Sequence, residues 1–336
     1  MSKKVYAHYG QSNGCYQHRI LLPTRYCGTY DFPDADFTLS LSDPAEQFPV
    51  YHLYGLLTQK TLQCVGTWKG EGGKLVWSVD DLLPHTPTWN PCRMSKEELA
   101  GWWLARDVAD LIITSTPVIA EQLGRPEKTV VARNLMEVSG YQTTEPAPVQ
   151  DKVRILWAGS KTHQKDLEII EDCVDAVLAK HGPEKVEFIF VGTAAGRVVK
   201  NHLHRGVHLE DGVSLGLYPK LLKVIAPQIV LAPLDPCLFN HAKSNIRVLE
   251  GWSLAAAVVA SPVGEYKVID HGETGLLAAT PEEFTAHVDR LVTDAPYREK
   301  LARAGRRRVD QIGNWERSEC RGEWREAFQK VLNLCS

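Results

Sequence analysis

Short apolar runs alternate with amphipathic stretches along nearly the whole chain of 336 residues. Lys4-Val-Tyr-Ala-His-Tyr9 reads as a first strand, followed by a polar loop, Gly10-Gln-Ser-Asn-Gly14. A helix from Cys15 to Leu22 comes next, and Pro23 is expected to end it. The aromatic and apolar stretch from Phe48 to Tyr54 predicts a strand and a short turn. Lys74-Leu-Val-Trp-Ser-Val79, preceded by Gly72-Gly73, predicts a stronger one, with Asp80-Asp81 at its carboxyl end. The following Leu-Leu-Pro-His-Thr-Pro-Thr-Trp-Asn-Pro91 holds too much proline for regular structure and reads as a loop. A helix is expected over Lys96–Ala109, with Ser95 as N-cap and Glu98 closing a capping box. Asp110–Ser115 and Lys128–Ala132 read as strands on either side of a helix from Thr116-Pro117 to Leu123.

The pattern breaks over Val138–Val149, which is polar and carries proline, and then starts afresh. Val153–Ala158, Val186–Val191, Val207–Glu210, Gln228–Ala232 and Val258–Ser261 read as strands. Helices are expected from about Asp166, over Leu215–Val224, around Asn245–Glu250, and over Pro281–Val292, Pro296–Val309 and Trp315–Leu332. Strands alternating with helices imply parallel sheets. The fold class is therefore α/β, with a Rossmann-like unit over residues 1–145 and another over 150–312. Residues 313–336 form a last helix expected to return to the first unit.

Composition narrows the possibilities. Hydrophobic residues at 44% and charged residues at 24% are globular values, and a net charge of −3 excludes an overall basic protein. A nucleic-acid partner would need a local basic groove. The cysteines at 15, 27, 64, 92, 173, 237, 320 and 335 show neither a Cys-x-x-Cys pair nor zinc spacing, and read as reduced thiols. No apolar run approaches membrane-spanning length, and Met1-Ser-Lys-Lys leads into no long apolar segment. The expectation is a cytoplasmic, monomeric protein without a membrane partner.

Chemistry concentrates in a few places. Arg247 and Glu250 lie three residues apart, on one face of a helix. A planar, permanently charged guanidinium suits a diphosphate, and a carboxylate one turn away suits the hydroxyls of a ribose. The other reading of the pair is a surface ion pair. Gly159-Ser160 follows a strand and precedes a helix, with Lys161 and Lys165 close by. That is a diphosphate cradle, because a helix N-terminus offers free N–H groups to an anion. A solvated basic turn is the alternative. Gly192 ends the next strand. In the first half, Asp80 stands where an open α/β sheet gathers its binding groups, and can take a proton from a hydroxyl. A turn or capping aspartate is the alternative. His18, Arg19, Trp89 and Arg93 are candidate acceptor contacts, with packing or solvated positions as their other reading. Asp34-Ala-Asp36 has the form of a metal-binding pair, but no metal ligand is assigned.

Two α/β halves with these loops in the second resemble the GT-B glycosyltransferases, nearly over the whole chain. Lys243-Ser244 through Ser261 and Gly272-Glu-Thr-Gly-Leu-Leu277 are similar to the donor region of the large retaining families. Those families often carry two glutamates separated by seven residues; Glu250 fits the second, while position 242 is alanine. A closer resemblance is to the bacteriophage DNA β-glucosyltransferases. It rests on Arg247-Val-Leu-Glu250, on Lys161 and Lys165 after Gly159-Ser160, on Asp80 ahead of Leu83-Pro84 and Trp89, and on Glu323-Trp-Arg-Glu-Ala-Phe328. The resemblance implies two domains facing a central cleft and a UDP-sugar donor, with glucose the expected sugar. It implies 5-hydroxymethylcytosine in double-stranded DNA as acceptor, reached by base flipping, and an inverting reaction with Asp80 as base. For a phage-encoded enzyme the compartment is the host cytoplasm; the resemblance also implies a role for a divalent cation in release of UDP, which no motif in the chain requires. Two rivals stay open: transfer to a glycan, lipid or small molecule, with retention as an option, and a nucleotide-sugar-binding fold without turnover.

Overall fold

The computed structural model describes residues 4–8, 14–40, 49–55, 59–141, 152–192, 197–210 and 213–335. The break in periodicity separates two six-stranded sheets, in both of which every pairing is parallel. The first contains β1 (Lys4–His8), β2 (Asp36–Ser40), β3 (Val50–Tyr54), β4 (Lys74–Val79), β5 (Leu111–Thr114) and β6 (Thr129–Val131), in the order β2-β1-β3-β4-β5-β6. The second contains β7 (Val153–Gly159), β8 (Val186–Gly192), β9 (Val207–Glu210), β10 (Ile229–Ala232), β11 (Ala257–Ala260) and β12 (Leu276–Leu277). Its order is β12-β11-β10-β7-β8-β9. The strand order reverses between β1 and β3 in one sheet and between β7 and β10 in the other. At such reversals the loops leaving neighbouring strands diverge, and a crevice opens at the carboxyl ends.

The strands are apolar because helices cover both faces of each sheet. Trp77, Ile112 and Ile119 pack on one side of the first sheet; Val5, Val76 and Ile113 pack on the other. That second side is closed from far along the chain. Trp315, Trp324 and Phe328 are fully buried in the same cluster. The helix Gly322–Asn333 thus lies against the first sheet, with Arg321 bidentate on Asp31 at 2.9 Å. Residues 142–151, which hold most of the polar break, lie outside the described residues, as do 10–13 of the first loop.

Local signals set several boundaries. Ser95 and Glu98 form the reciprocal capping box that starts Lys96–Val108. Thr116 caps Pro117–Leu123, and Gly124 ends it in the left-handed conformation at φ +61.

Elsewhere the structure departs from the pattern. The first helix does not stop at Pro23, which keeps helical angles (φ −56, ψ −46). It sits between two wide-turned π segments, Gln17–Leu21 and Thr24–Asp31, where the α-helical ladder is already interrupted. Asp36 of the Asp34-Ala-Asp36 pair opens edge strand β2, whose Phe37 stacks on Phe328 at 5.2 Å. The helices Gln59–Gly70 and Arg197–His202 have no counterpart in the sequence reading. The last helix begins later than expected, because Trp315 is buried against Tyr26 before the chain turns.

Candidate functional site

The two reversals face each other across one cavity of about 600 Å³, lined by residues of both halves. From the first half come Cys15, His18, Asp80, Asp81 and Glu137; from the second, Gly159, Gly192, Lys243, Arg247 and Glu250. The halves also touch directly. Asn90 Nδ2 donates to the Thr162 carbonyl at 3.3 Å, and Thr116 Oγ1 to the Ala242 carbonyl at 3.0 Å.

Asp80 stands at the end of β4, only 8% exposed. Its Oδ1 accepts from Asn134 Nδ2 at 2.7 Å, and the residue lines the cavity. The orientation of Asn134 is set from behind. Its Oδ1 accepts from Arg19 Nη1 at 3.0 Å, so its amide nitrogen must point at the carboxylate. The same nitrogen reaches Ser244 Oγ at 3.1 Å, in the second half. Arg19 itself does not line the cavity. It is fully buried, bonded to the carbonyls of Ala132 and Ile113, with its guanidinium over the Trp324 ring at 4.6 Å. The acceptor contact expected of it is replaced by an internal role, because the helix turns that side chain inward.

His18, one residue earlier, does line the cavity. Its Nδ1 donates to the Leu135 carbonyl at 3.2 Å. Burial pushes the imidazole below its ordinary range, against the pull of Asp80. A neutral ring with a proton on Nδ1 offers Nε2 as an acceptor. Trp89 and Arg93 are both exposed, and neither lines the cavity. The proline-rich loop they occupy turns outward while its Asn90 is buried.

In the second half, Gly159 and Gly192 end adjacent strands. Gly192 has φ +96, and a Cβ there would stand 2.3 Å from the Gly159 carbonyl oxygen. Glycine is needed at that position for conformation and for space. Ser160 Oγ shares a hydrogen bond with Thr162 Oγ1 at 2.7 Å and caps the turn. The Lys161 side chain lies outside what the structure describes. Lys165 is exposed, pairs with Glu168 at 2.5 Å and does not line the cavity, so the cradle of two lysines is not assembled here.

Arg247 and Glu250 do meet, at 2.5 Å. Arg247 uses Nη1 for Glu250 and for Tyr218 OH at 2.7 Å, and the residue lines the cavity. Burial alone would lower the guanidinium pKa; Glu250, Tyr218 and Tyr266 together more than reverse that and keep Arg247 charged. Tyr141 OH reaches Glu250 Oε1 at 3.5 Å. Glu250 is thus the partner that aims Arg247 as well as the candidate for a ribose.

Several lining residues are not among the site residues expected from the sequence. Lys243 lies over Phe239 at 4.5 Å and reaches Asp81 at 3.4 Å, which holds its ammonium protonated against burial. Tyr141, Tyr218, Tyr266 and His163 complete the wall. The one available signal was Lys243-Ser244 opening the donor-like segment; the tyrosines carry none, since a buried tyrosine reads as core. Asp34 and Asp36 fall outside the lining, with Asp36 facing Lys4 at 3.9 Å on the sheet edge. Among the described residues, no three His, Cys, Asp or Glu side chains cluster as metal ligands, and no helix is long and apolar enough to cross a membrane.

Against this geometry, residues 152–294 match the family model of glycosyl transferases group 1. Glycosyltransferase 1 domain-containing protein 1 from Xenopus tropicalis is 33% identical over 198 residues, 55% of this chain and 48% of that protein. The chain therefore spans about half the length of that relative. Two solved structures superpose over nearly the whole of both chains. HepE from Anabaena, in complex with UDP and glucose, has a TM-score of 0.67 at 16% identity and 98% coverage of each chain. Sucrose-phosphate synthase from Thermosynechococcus elongatus gives the same TM-score, identity and coverage. The fold is GT-B.

Proposed function

We propose that the protein is a glycosyltransferase that moves a sugar from a UDP-sugar to an acceptor hydroxyl held by the first half. One observation carries the reading: a carboxylate from the first sheet and fixed cations from the second line the same cavity, at the carboxyl ends of the strands of both sheets. The group 1 match supports it, as does a relative of the same fold whose structure contains UDP and glucose.

In this reading the diphosphate sits by Gly159 and Gly192, where the lack of a side chain lets a ligand come close to the backbone. Arg247 and Lys243 compensate the charge that develops on the leaving diphosphate. Asp80, held by Asn134, takes the proton of the acceptor hydroxyl, whose oxygen attacks the anomeric carbon as the bond to the diphosphate breaks. His18 orients the acceptor by receiving a hydrogen bond at Nε2. Inversion is favoured, because position 242 offers no second carboxylate; Ala242 is fully buried in the cluster beneath the first sheet.

Glucose is the sugar we propose, and the acceptor is the open part. The short segments similar to the phage enzymes support hydroxymethylated DNA. The lining of the first half opposes it: it holds Asp80, Asp81 and Glu137 and, among the described residues, no Lys or Arg to meet phosphates. We take a hydroxyl acceptor without phosphate, a glycan or a small molecule, as the class. Incubation with UDP-glucose, and in turn with a glycan panel and with hydroxymethylated duplex DNA, tests this by mass spectrometry of the products. Glucose on the DNA alone restores the phage-type reading, and UDP binding without any product leaves a binding protein. Asp80→Asn should lower turnover by roughly 10²–10⁴-fold with UDP affinity retained. Asp81→Asn should cost less, since Asp81 is the partner of Lys243. The reverse order would give the base to Asp81.

A further inference from the structure

His163 belongs to the turn after β7 and lines the cavity. Its Nδ1 stands 2.8 Å from Asp166 Oδ2. Asp166 is 1% exposed, and its other oxygen accepts from the Asp235 backbone N–H at 2.8 Å and from Asn240 Nδ2 at 2.9 Å. One buried carboxylate therefore ties together the loop after β7, the loop after β10 and the helix Leu238–His241, at the reversal of strand order. It also fixes the tautomer of the ring. A carboxylate only accepts, so Nδ1 carries a proton and Nε2 is the nitrogen left for a ligand.

A neutral imidazole would present a lone pair at Nε2. A phosphate oxygen presents lone pairs too, so the two meet well only when the ring is protonated and donates. We propose that His163, clamped by Asp166, is a protonation-dependent ligand for the diphosphate of the donor, joining Lys243 and Arg247 as the titratable member of the cationic wall. The proposal rests on the donor reading above.

The surrounding charges agree. Lys165 and Asp166 are on the adjoining helix, Asp235 is on the loop after β10, and Lys243 and Arg247 face the ring from the next segments, backed by Asp81 and Glu250. In the free protein, burial and the two cations hold the imidazole below its ordinary range, with Asp166 pulling the other way. Two phosphate charges on that wall reverse the balance. The ring then takes up a proton as the donor binds, and by linkage affinity must rise as pH falls.

Calorimetric titration of the full chain with UDP-glucose tests this. Each phosphorus of the ligand carries one ester and one anhydride link and no weakly acidic hydroxyl, so the diphosphate keeps its charge between about pH 6 and pH 8.5 and proton uptake belongs to the protein. Measured in buffers of different ionisation enthalpy, the wild type should take up close to one proton near neutral pH. Its dissociation constant should tighten by up to about tenfold per pH unit on acidification. His163→Gln keeps a polar group of similar reach and should show neither effect. His163→Lys, permanently charged, should bind at pH 8 as the wild type binds at pH 6. Equal proton uptake in wild type and His163→Gln, or wild-type binding that ignores pH, overturns the proposal and leaves the donor site standing. No binding of UDP-glucose by the wild type at any pH removes the donor site, and this inference with it.

Discussion

At the scale of single residues, the site is built from side chains that hold one another. Arg247 is aimed by Glu250, which is itself almost buried, so the two cannot be removed independently. Arg247→Ala should weaken UDP binding by the loss of a charge-assisted contact, about 1.5–3 kcal/mol. It should also destabilise the fold by about 3–5 kcal/mol, because it strands a buried carboxylate. Adding Glu250→Gln should restore much of the stability and none of the affinity. A thermal melt that fails to recover in the double variant would show that Glu250 does not depend on Arg247. His52 makes a different demand. It is 1% exposed, shares a 2.8 Å hydrogen bond with Ser78 Oγ, and is pushed down to about 3 by burial and then by Arg19. An unfolded histidine titrates near 6.5. Above that value both states are neutral and the native state keeps its full stability. Below it the unfolded chain takes a proton that the native state refuses until about pH 3. Stability should therefore fall on acidification, by about 2 kcal/mol between pH 7 and pH 5 from this group. Urea denaturation at the two pH values should show that loss in the wild type and its absence in His52→Gln.

Among the elements, the ends of β7 and β8 govern the donor side. Their last residues, Gly159 and Gly192, are paired across the ladder, and the backbone of one occupies the space a side chain on the other would need. Gly192→Ala must therefore spread the strands as well as adopt a φ that alanine resists, at a cost of about 1–3 kcal/mol for the conformation alone. UDP affinity should drop with stability in that variant. A folded protein of wild-type affinity would show that the diphosphate lies elsewhere along the edge.

For the whole molecule, the last helix is part of the first half. Trp324 donates from Nε1 to the Arg133 carbonyl at 2.8 Å and forms the floor beneath Arg19, whose guanidinium orients Asn134 and through it Asp80. Trp324→Ala should cost about 3–5 kcal/mol in chemical denaturation. It should also lower turnover at temperatures where the protein is still folded, because the carboxylate loses its orientation. Unchanged turnover in the folded variant would disconnect the helix from the site.

Much of this was written locally. The β4, β7 and β8 runs, the capping box at Ser95 and Glu98, the break after Val138, and the placing of Asp80 and Arg247 at element ends follow from patterns that span about ten residues. Burial on both faces makes a parallel strand apolar whatever its partner, so two α/β halves were legible before any pairing was known. Contacts between distant residues decided the rest. Phe37 becomes part of a strand because Phe328 covers it, and Arg19 turns from ligand candidate to internal strut because Trp324 and Asn134 await it. Lys165 finds Glu168 on its own helix, and Trp89 and Arg93 point away from the cavity as Asn90 turns in. Lys243, Tyr141, Tyr218 and His163 meet in one wall only through the tertiary structure. A local pattern records which way an element faces its own core. It holds no record of which loop, more than a hundred residues away, will come to rest across the cleft.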